Sequence, residues 1–303
     1  MFKEITDDFF KKQIIFLLNN DWTGNTDYYF PSQNSISLER KDIFKMITFR
    51  YYYLKKNISK YKRSILFLFN DNNGYKRSVI IFKDFAIYEL DIKCNDEYYE
   101  RSIFDISTNM EDNSIIIYDS FMIGGNKINK YCFSDRILES ETFLHNSIIP
   151  NVNIKCTTYF DKIIDLGYVN EDEEIFMIPN YLPILTGINY SSFKWKNPLA
   201  IEIGLVLKEN GDDIDLYSME FRRKKLFAKI HFSDENGKKY INEIKSLDNY
   251  KDGCILDINI RDGRIIISKI NETKTIATTI RSIEKILTLK RENITLEELN
   301  NLN

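Results

Sequence analysis

The chain is short of the residues that build phosphate loops and imidazole sites. In 303 residues it holds 11 glycines and 5 prolines, against ordinary usage of about 7% and 5%. Neither G-x-G-x-x-G nor G-x-x-x-x-G-K-[ST] occurs, so a fold organised around a glycine-rich phosphate loop is excluded. Its two histidines, His145 and His231, stand far apart with no second ligand at metal spacing, which argues against imidazole catalysis and His-ligated metals. The four cysteines (Cys94, Cys132, Cys156 and Cys254) form no C-x-x-C, so neither a zinc knuckle nor a disulfide scaffold is expected. Scattered buried thiols fit a reducing, intracellular setting. The apolar run Ile14 to Leu18, with Asp7 and Asp8 in front, is too short for a membrane span and too acidic ahead for a secretory signal. A net charge of -3 rules out a globally basic nucleic-acid coat, leaving only local patches for RNA.

What is present reads as globular: 43% hydrophobic, 29% charged and 14% aromatic, with length for two domains. Phe10, Ile14, Leu17 and Leu18 repeat at i, i+4, i+7 and i+8, predicting an amphipathic opening helix over 9–18. A second short helix is expected near Leu38. From Ser64 the texture turns to short apolar, β-branched runs, SILFLF (64–69), SVIIF (78–82), FAIYEL (85–90) and SIIIYD (114–119), which predict strands. Ser134 is a candidate helix N-cap. EIFMIP (174–179) and FKWKNP (193–198) complete an α+β part, and Pro198 is the last proline. Beyond it, Asn210-Gly211, Asn236-Gly237, Asp252-Gly253 and Asp262-Gly263 are hairpin signals of a small antiparallel barrel or sandwich. Two closing helices follow, one presenting Ile280, Ile283 and Leu287, the other opening with a capping box of Thr295 and Glu298.

Several strings then line up in order with one family. FPSQNSISLERKD (30–42), SIFD (102–105), SIIIYDSFMIGG (114–125), FSDRI (133–137), EDEEIFMIP (171–179), FKWKNP (193–198), KDGCILDINIRDG (251–263) and ENITLEEL (292–299) are similar to successive motifs of the mRNA capping guanylyltransferases, relatives of the DNA and RNA ligases. The resemblance is greatest to the small algal-virus type and covers residue 30 to the end. It implies an α+β nucleotidyltransferase domain of antiparallel sheets with helices, related to ATP-grasp, at 1–199. An OB-fold domain with C-terminal helices is implied at 200–303. The implied chemistry is attack by a lysine amine on the α-phosphorus of GTP, then transfer of GMP to a 5′-diphosphate RNA end.

The catalytic strings depart from the family. With Arg63 in the arginine position of K-x-D-G-x-R, the lysine position falls on Ile58, and D-G becomes Lys60 and Tyr61. D-G-E becomes Asp105, Ile106 and Ser107; D-G-L keeps Asp172 but has Glu173 and Glu174; the distal R-x-D-K falls on Asn271, Glu272, Thr273 and Lys274. No catalytic residue and no metal ligand is assigned on this register. Retained as nucleotide-binding candidates are Arg63, Lys83, Arg136, Tyr118 for stacking on guanine, and Lys194 with Lys196, which period-two geometry places on one strand face. The alternative readings are a core aromatic for Tyr118, helix-surface pairing of Arg136 with Asp135 or Glu139, and a solvated face for the two lysines.

RYYYLKKNISKYKR (50–63) interleaves cations with tyrosines, the pairing that single-stranded RNA binding uses. Lys55, Lys56, Lys60 and Lys62 are the candidate RNA contacts, against an edge strand whose tyrosines pack inward. Lys56 or Lys60, each two positions from Ile58, is the candidate replacement nucleophile. Arg222, Arg223, Lys224 and Lys225 read as a solvated face of the distal domain.

The sequence therefore predicts a guanylyltransferase-like pseudoenzyme that binds GTP or GMP, cap or a 5′-phosphorylated RNA end, or scaffolds capping and transcription subunits. Mg2+ has no evident place, and no membrane partner is expected. A nucleus, a viral cytoplasmic factory or a virion is the implied location. The alternative is an active guanylyltransferase with a displaced lysine; a purely structural subunit is a third.

Overall fold

The computed structural model describes residues 2–24, 30–57, 59–170, 173–261, 264–272 and 274–302. Ile58, Asp172, Asp262, Gly263 and Thr273, each part of a motif or turn signal in the sequence, lie outside the described residues. The chain divides into two compact units, Met1–Trp195 with Leu299–Asn303, and Lys196–Glu298.

The first unit opens with β1 (Lys3–Glu4), α1 (Asp8–Thr23), β2 (Gln33–Ser37), α2 (Ile43–Thr48) and β3 (Tyr51–Asn57). It continues through β4 (Lys62–Asn70), β5 (Lys76–Phe82), β6 (Ile87–Glu89), β7 (Ser102–Asn109), β8 (Ser114–Ile123) and β9 (Asn126–Lys127). Then come α3 (Phe133–His145), β10 (Asn153–Cys156), β11 (Glu173–Pro179) and β12 (Gly187–Trp195). An eight-stranded sheet has the order β1-β6-β5-β4-β7-β8-β10, with β9 also on β8, and a four-stranded sheet has the order β2-β12-β11-β3.

The central strand β4 explains why SILFLF carries no polar alternation. Ile65, Phe67 and Phe69 pack with Ile14, Ile15 and Leu18 of α1, while Leu66 and Leu68 pack with Phe104 and Phe143 on the other face. A strand covered on both faces reads as a continuous apolar run. Each fully buried side chain of this size contributes about 1.5–3 kcal/mol.

Local boundaries differ from the sequence reading for identifiable reasons. Helix α1 outruns 9–18 because its buried face continues through Asn19 and Trp22, with the indole stacked 5.0 Å from Phe121. Ser134 is not the N-cap of α3. That helix starts at Phe133, and Asn180 accepts from the Phe133 and Ser134 amides instead. FAIYEL contributes strand only from Ile87, since Phe85 sits at φ 64 in a turn closed by Phe85 N–H to the Phe82 carbonyl. FKWKNP ends its strand at Trp195, leaving Lys196 beyond it.

The second unit holds β13 (Ile203–Asn210), β14 (Asp213–Glu220), β15 (Arg223–Ile230), α4 (Glu235–Lys245), β16 (Ile255–Arg261), β17 (Arg264–Ile270) and α5 (Ile280–Glu292). Its antiparallel sheet has the order β15-β14-β13-β16-β17, with α4 between the third and fourth strands. This is the connectivity of a partly open OB barrel. Leu205, Leu207, Leu216, Leu256 and Ile258 form its core with Ile241 and Ile244 of α4. Asn210-Gly211 makes the expected β13–β14 hairpin, with Gly211 at φ 66. Asn236-Gly237 does not make one: both residues lie in the first turn of α4. Glycine is required there because a Cβ would meet the His231 carbonyl oxygen at 1.9 Å. Asp252-Gly253 likewise turns the chain from α4 into β16.

The α+β class and the OB unit implied by the resemblance are therefore present. No helix among the described residues is long and apolar enough to cross a membrane.

Candidate functional site

On the α1 side of the large sheet, β4 runs Phe69, Phe67, Ile65, Arg63 and β7 runs Ile103, Asp105, Ser107. At that end the apolar series gives way to polar groups, and these face the small sheet. From the small sheet, Lys56 of β3 stands opposite Glu174 of β11, and Phe176 pairs with Leu54 on one side and Lys194 of β12 on the other. Period-two alternation thus turns Lys56, Glu174, Phe176 and Lys194 to one face. The cleft so formed has a volume of about 600 Å³, and Asn34, Lys56, Lys62, Arg63, Lys83 and Lys194 are among its lining residues.

Lys56 is the centre of this cleft. Its Nζ lies 3.8 Å from the ring centroid of Tyr118 and 4.6 Å from that of Phe176. Among the described residues no carboxylate lies within ion-pair distance of it. Burial lowers its pKa to about 8, with Arg63 acting in the same direction and Asp105, Asp119 and Glu174 opposing. A lysine near 8 holds roughly a tenth of its amine unprotonated at pH 7, against roughly one part in 3,000 for an ordinary lysine. Enclosure between aromatic rings, which take an ammonium but offer no counter-ion, is what separates this lysine from its neighbours.

Lys60 is a different case. It is exposed, and its Nζ is 2.6 Å from Asp112, an ion pair that raises its pKa. Lys55 points to the opposite face of β3, donating to the Tyr168 carbonyl at 2.9 Å with Glu173 at 3.7 Å. Lys62 is exposed at the cleft mouth. The four lysines do not form one RNA-binding stripe. Nor do the tyrosines offer stacking faces: Tyr51, Tyr52 and Tyr53 are buried at 3%, 7% and 1% exposure. Tyr52 packs on Phe133 and Tyr159, and the Tyr51 hydroxyl donates to the Ser191 carbonyl. The small sheet is covered on both faces at β3, so consecutive tyrosines all turn inward.

The nucleotide candidates are likewise sorted. Arg63 grips Asp105 with Nε at 3.2 Å and Nη2 at 2.9 Å, and its guanidinium remains at the cleft wall. Lys83 lines the cleft and is exposed. Lys194 lines it while paired to Glu174 at 3.3 Å; Lys196 follows the strand end and begins the second unit. Tyr118 is 3% exposed in an apolar cluster with Tyr52, Leu54 and Phe133. Its ring is the floor beneath Lys56, not an open face for a base. Arg136 is 1% exposed and makes a two-pronged pair with Asp119 at 2.8 and 3.0 Å. Its partner is neither Asp135 nor Glu139, and it is a buried support under the site with no open face for a phosphate. Desolvation raises the Asp119 pKa against the opposing pull of Arg136.

A divalent cation, which the family resemblance implies, does not fit these carboxylates. Asp105, Glu174 and Asp119 are each already held by Arg63, Lys194 and Arg136. No group of three metal-ligating side chains occurs among the described residues.

Sequence reasoning missed Phe176 as a cleft residue, Glu174 as the partner of Lys194, and Asn34 as a second cleft residue. The signal for the first two was available: Glu174, Phe176 and Ile178 alternate along EIFMIP, so whatever β11 faces meets all three. Asn34 carries no such signal, since its place depends on β2 pairing in parallel with β12.

No family model matches this chain, and no curated protein matches it. Among solved structures it is similar to the ATP-dependent DNA ligase from bacteriophage T7 in complex with ATP, at 10% identity and a TM-score of 0.41, over 80% of this chain and 98% of that one. It is also similar to mycobacterial DNA ligase D complexed with ATP and MES, at 7% identity and a TM-score of 0.39, over 81% and 95%. A third is a Lig E DNA ligase, at 8% identity and a TM-score of 0.36, over 78% and 99%. These structural neighbours are ATP-dependent DNA ligases, not capping enzymes, and overlays this loose carry neither substrate nor partner.

Proposed function

We propose that the chain is a nucleotidyltransferase of the guanylyltransferase kind in which Lys56 is the nucleophile. The observation that carries this reading is the environment of the Lys56 amine. It is enclosed in the cleft, free of a carboxylate partner among the described residues, and shifted to about pH 8. In the proposed step the neutral amine attacks the α-phosphorus of GTP. The N–P bond forms as the bond to the bridging oxygen breaks, pyrophosphate departs, and the nitrogen gives up one proton. Lys194, Lys83 and Arg63 supply positive charge for the phosphates. Lys194 becomes available when its pair with Glu174 opens. The lysyl-GMP then passes to an acceptor, a 5′-diphosphate RNA end in the guanylyltransferase reading.

Intact-protein mass spectrometry after incubation with GTP, and in parallel with ATP, tests this with and without added magnesium or manganese. The expected result is a nucleoside-monophosphate mass gain with GTP, retained in Lys60→Ala and lost in Lys56→Ala. A gain that survives Lys56→Ala overturns the assignment. A gain with ATP alone keeps the nucleophile and moves the substrate. Thermal stabilisation by GTP or capped RNA with no mass gain supports a binding-only cleft instead.

A further inference from the structure

The turn between β14 and β15 is built from the wrong residues for its geometry. Phe221 and Arg222 both have positive φ, 45° and 65°, the backbone that two-residue hairpins obtain from Asn-Gly. In the neighbouring β13–β14 turn the strands close on the Asn210–Asp213 pair, and the positive φ falls on Gly211, which bears it without strain. A bulky residue in the left-handed region is disfavoured by sterics, and packing returns nothing here. At 94% exposure, Phe221 is the most exposed large apolar side chain among the described residues.

The charge around that ring is predominantly positive, with Glu220 on its N-terminal side. Residues 221–230 carry Arg222, Arg223, Lys224, Lys225 and Lys229 and no carboxylate. Lys225 is paired with Glu220 at 3.0 Å, whereas Arg222, Arg223 and Lys224 have no ion-pair partner among the described residues. Along β15 successive side chains alternate in face, so Arg223 and Lys224 project to opposite sides of the strand just beyond the tip. β15 also ends the sheet order, so this cationic strand is an outer one.

We propose that the β14–β15 hairpin is a binding element for single-stranded nucleic acid, with Phe221 stacking on a base and Arg222, Arg223 and Lys224 contacting phosphates. An exposed ring flanked by unpaired cations matches the stacking-plus-charge chemistry of single strands. The second and third strands of an OB barrel supply an open face for it. One aromatic on a narrow tip offers little apolar area for a lipid surface, which favours nucleic acid over membrane. This proposal stands independently of the nucleophile at Lys56.

Fluorescence anisotropy with labelled single-stranded RNA and DNA of one sequence, on the full chain, tests it. Phe221→Ala is expected to weaken binding about 5- to 150-fold. The combined Arg222→Ala, Arg223→Ala, Lys224→Ala variant is expected to lower the salt slope by about 0.7 for each phosphate that is no longer neutralised. Phe221→Asn with Arg222→Gly is the second arm: it is expected to raise the melting temperature while weakening the oligonucleotide complex, a combination that simple misfolding does not produce. Oligonucleotide affinity unchanged within about twofold in all three variants overturns the proposal. So does binding to vesicles of anionic lipid that depends on Phe221 while oligonucleotide binding does not.

Discussion

At the residue scale, two charged side chains on adjoining parts of one site behave oppositely because of what encloses them. Lys56 sits between rings without a carboxylate partner among the described residues, so its ammonium is destabilised and its pKa falls. The rate of adduct formation is therefore expected to rise about tenfold per pH unit below pH 8 and to level off above it, because only the unprotonated amine attacks. A pH–rate profile of the mass gain, flat from pH 6.5 to 8, would contradict this. Arg136, more deeply buried at 1% exposure, has Asp119 in a two-pronged contact. Removing one member of such a buried pair leaves the other uncompensated. Arg136→Ala is expected to destabilise the protein by about 3–5 kcal/mol, read in urea denaturation. A loss under 1 kcal/mol would mean that Asp119 finds another partner or a proton at little cost.

At the element scale, β11 decides how accessible the cleft's cations are. Glu174 holds Lys194 at 3.3 Å, so a phosphate must compete with a carboxylate for that ammonium. Glu174→Gln is expected to tighten GTP binding by up to about fivefold, the scale of a partly exposed ion pair, measured by calorimetric titration; weaker binding would show that the pair positions Lys194. Helix α4 gives a prediction of a different kind. Gly237→Ala drives a methyl group into the His231 carbonyl and is expected to lower stability by about 1–3 kcal/mol. An unchanged melting temperature would show that the first turn of α4 shifts freely.

At the scale of the whole molecule, the α+β class and a small distal antiparallel β unit were legible because they rest on local pattern, whereas the OB character of that unit came only from the family resemblance. Runs such as SILFLF and the Asn210-Gly211 turn act within a few residues. The site was legible only in part. The register through Arg63 put the lysine position on Ile58, since a motif match assumes a fixed turn length. The fold places Lys56, seven residues before Arg63 and near the end of β3, on the wall of the cleft. Which lysine enters the cleft depends on strand parity, and that is set by the β3–β11 pairing across about 120 residues of chain. The inward turn of Tyr51–Tyr53 was hidden for the same reason: only the pairing shows that both faces of β3 are covered. Asn236-Gly237 misled because a helix packed tightly against a loop carbonyl needs glycine as much as a hairpin does.

The most direct test of the account is to locate the transferred group. Wild-type protein incubated with GTP, digested under mildly alkaline conditions and sequenced by tandem mass spectrometry, is expected to carry GMP on the ε-nitrogen of Lys56 and on no other lysine. GMP on Lys60, on Lys194, or on no lysine at all would contradict it.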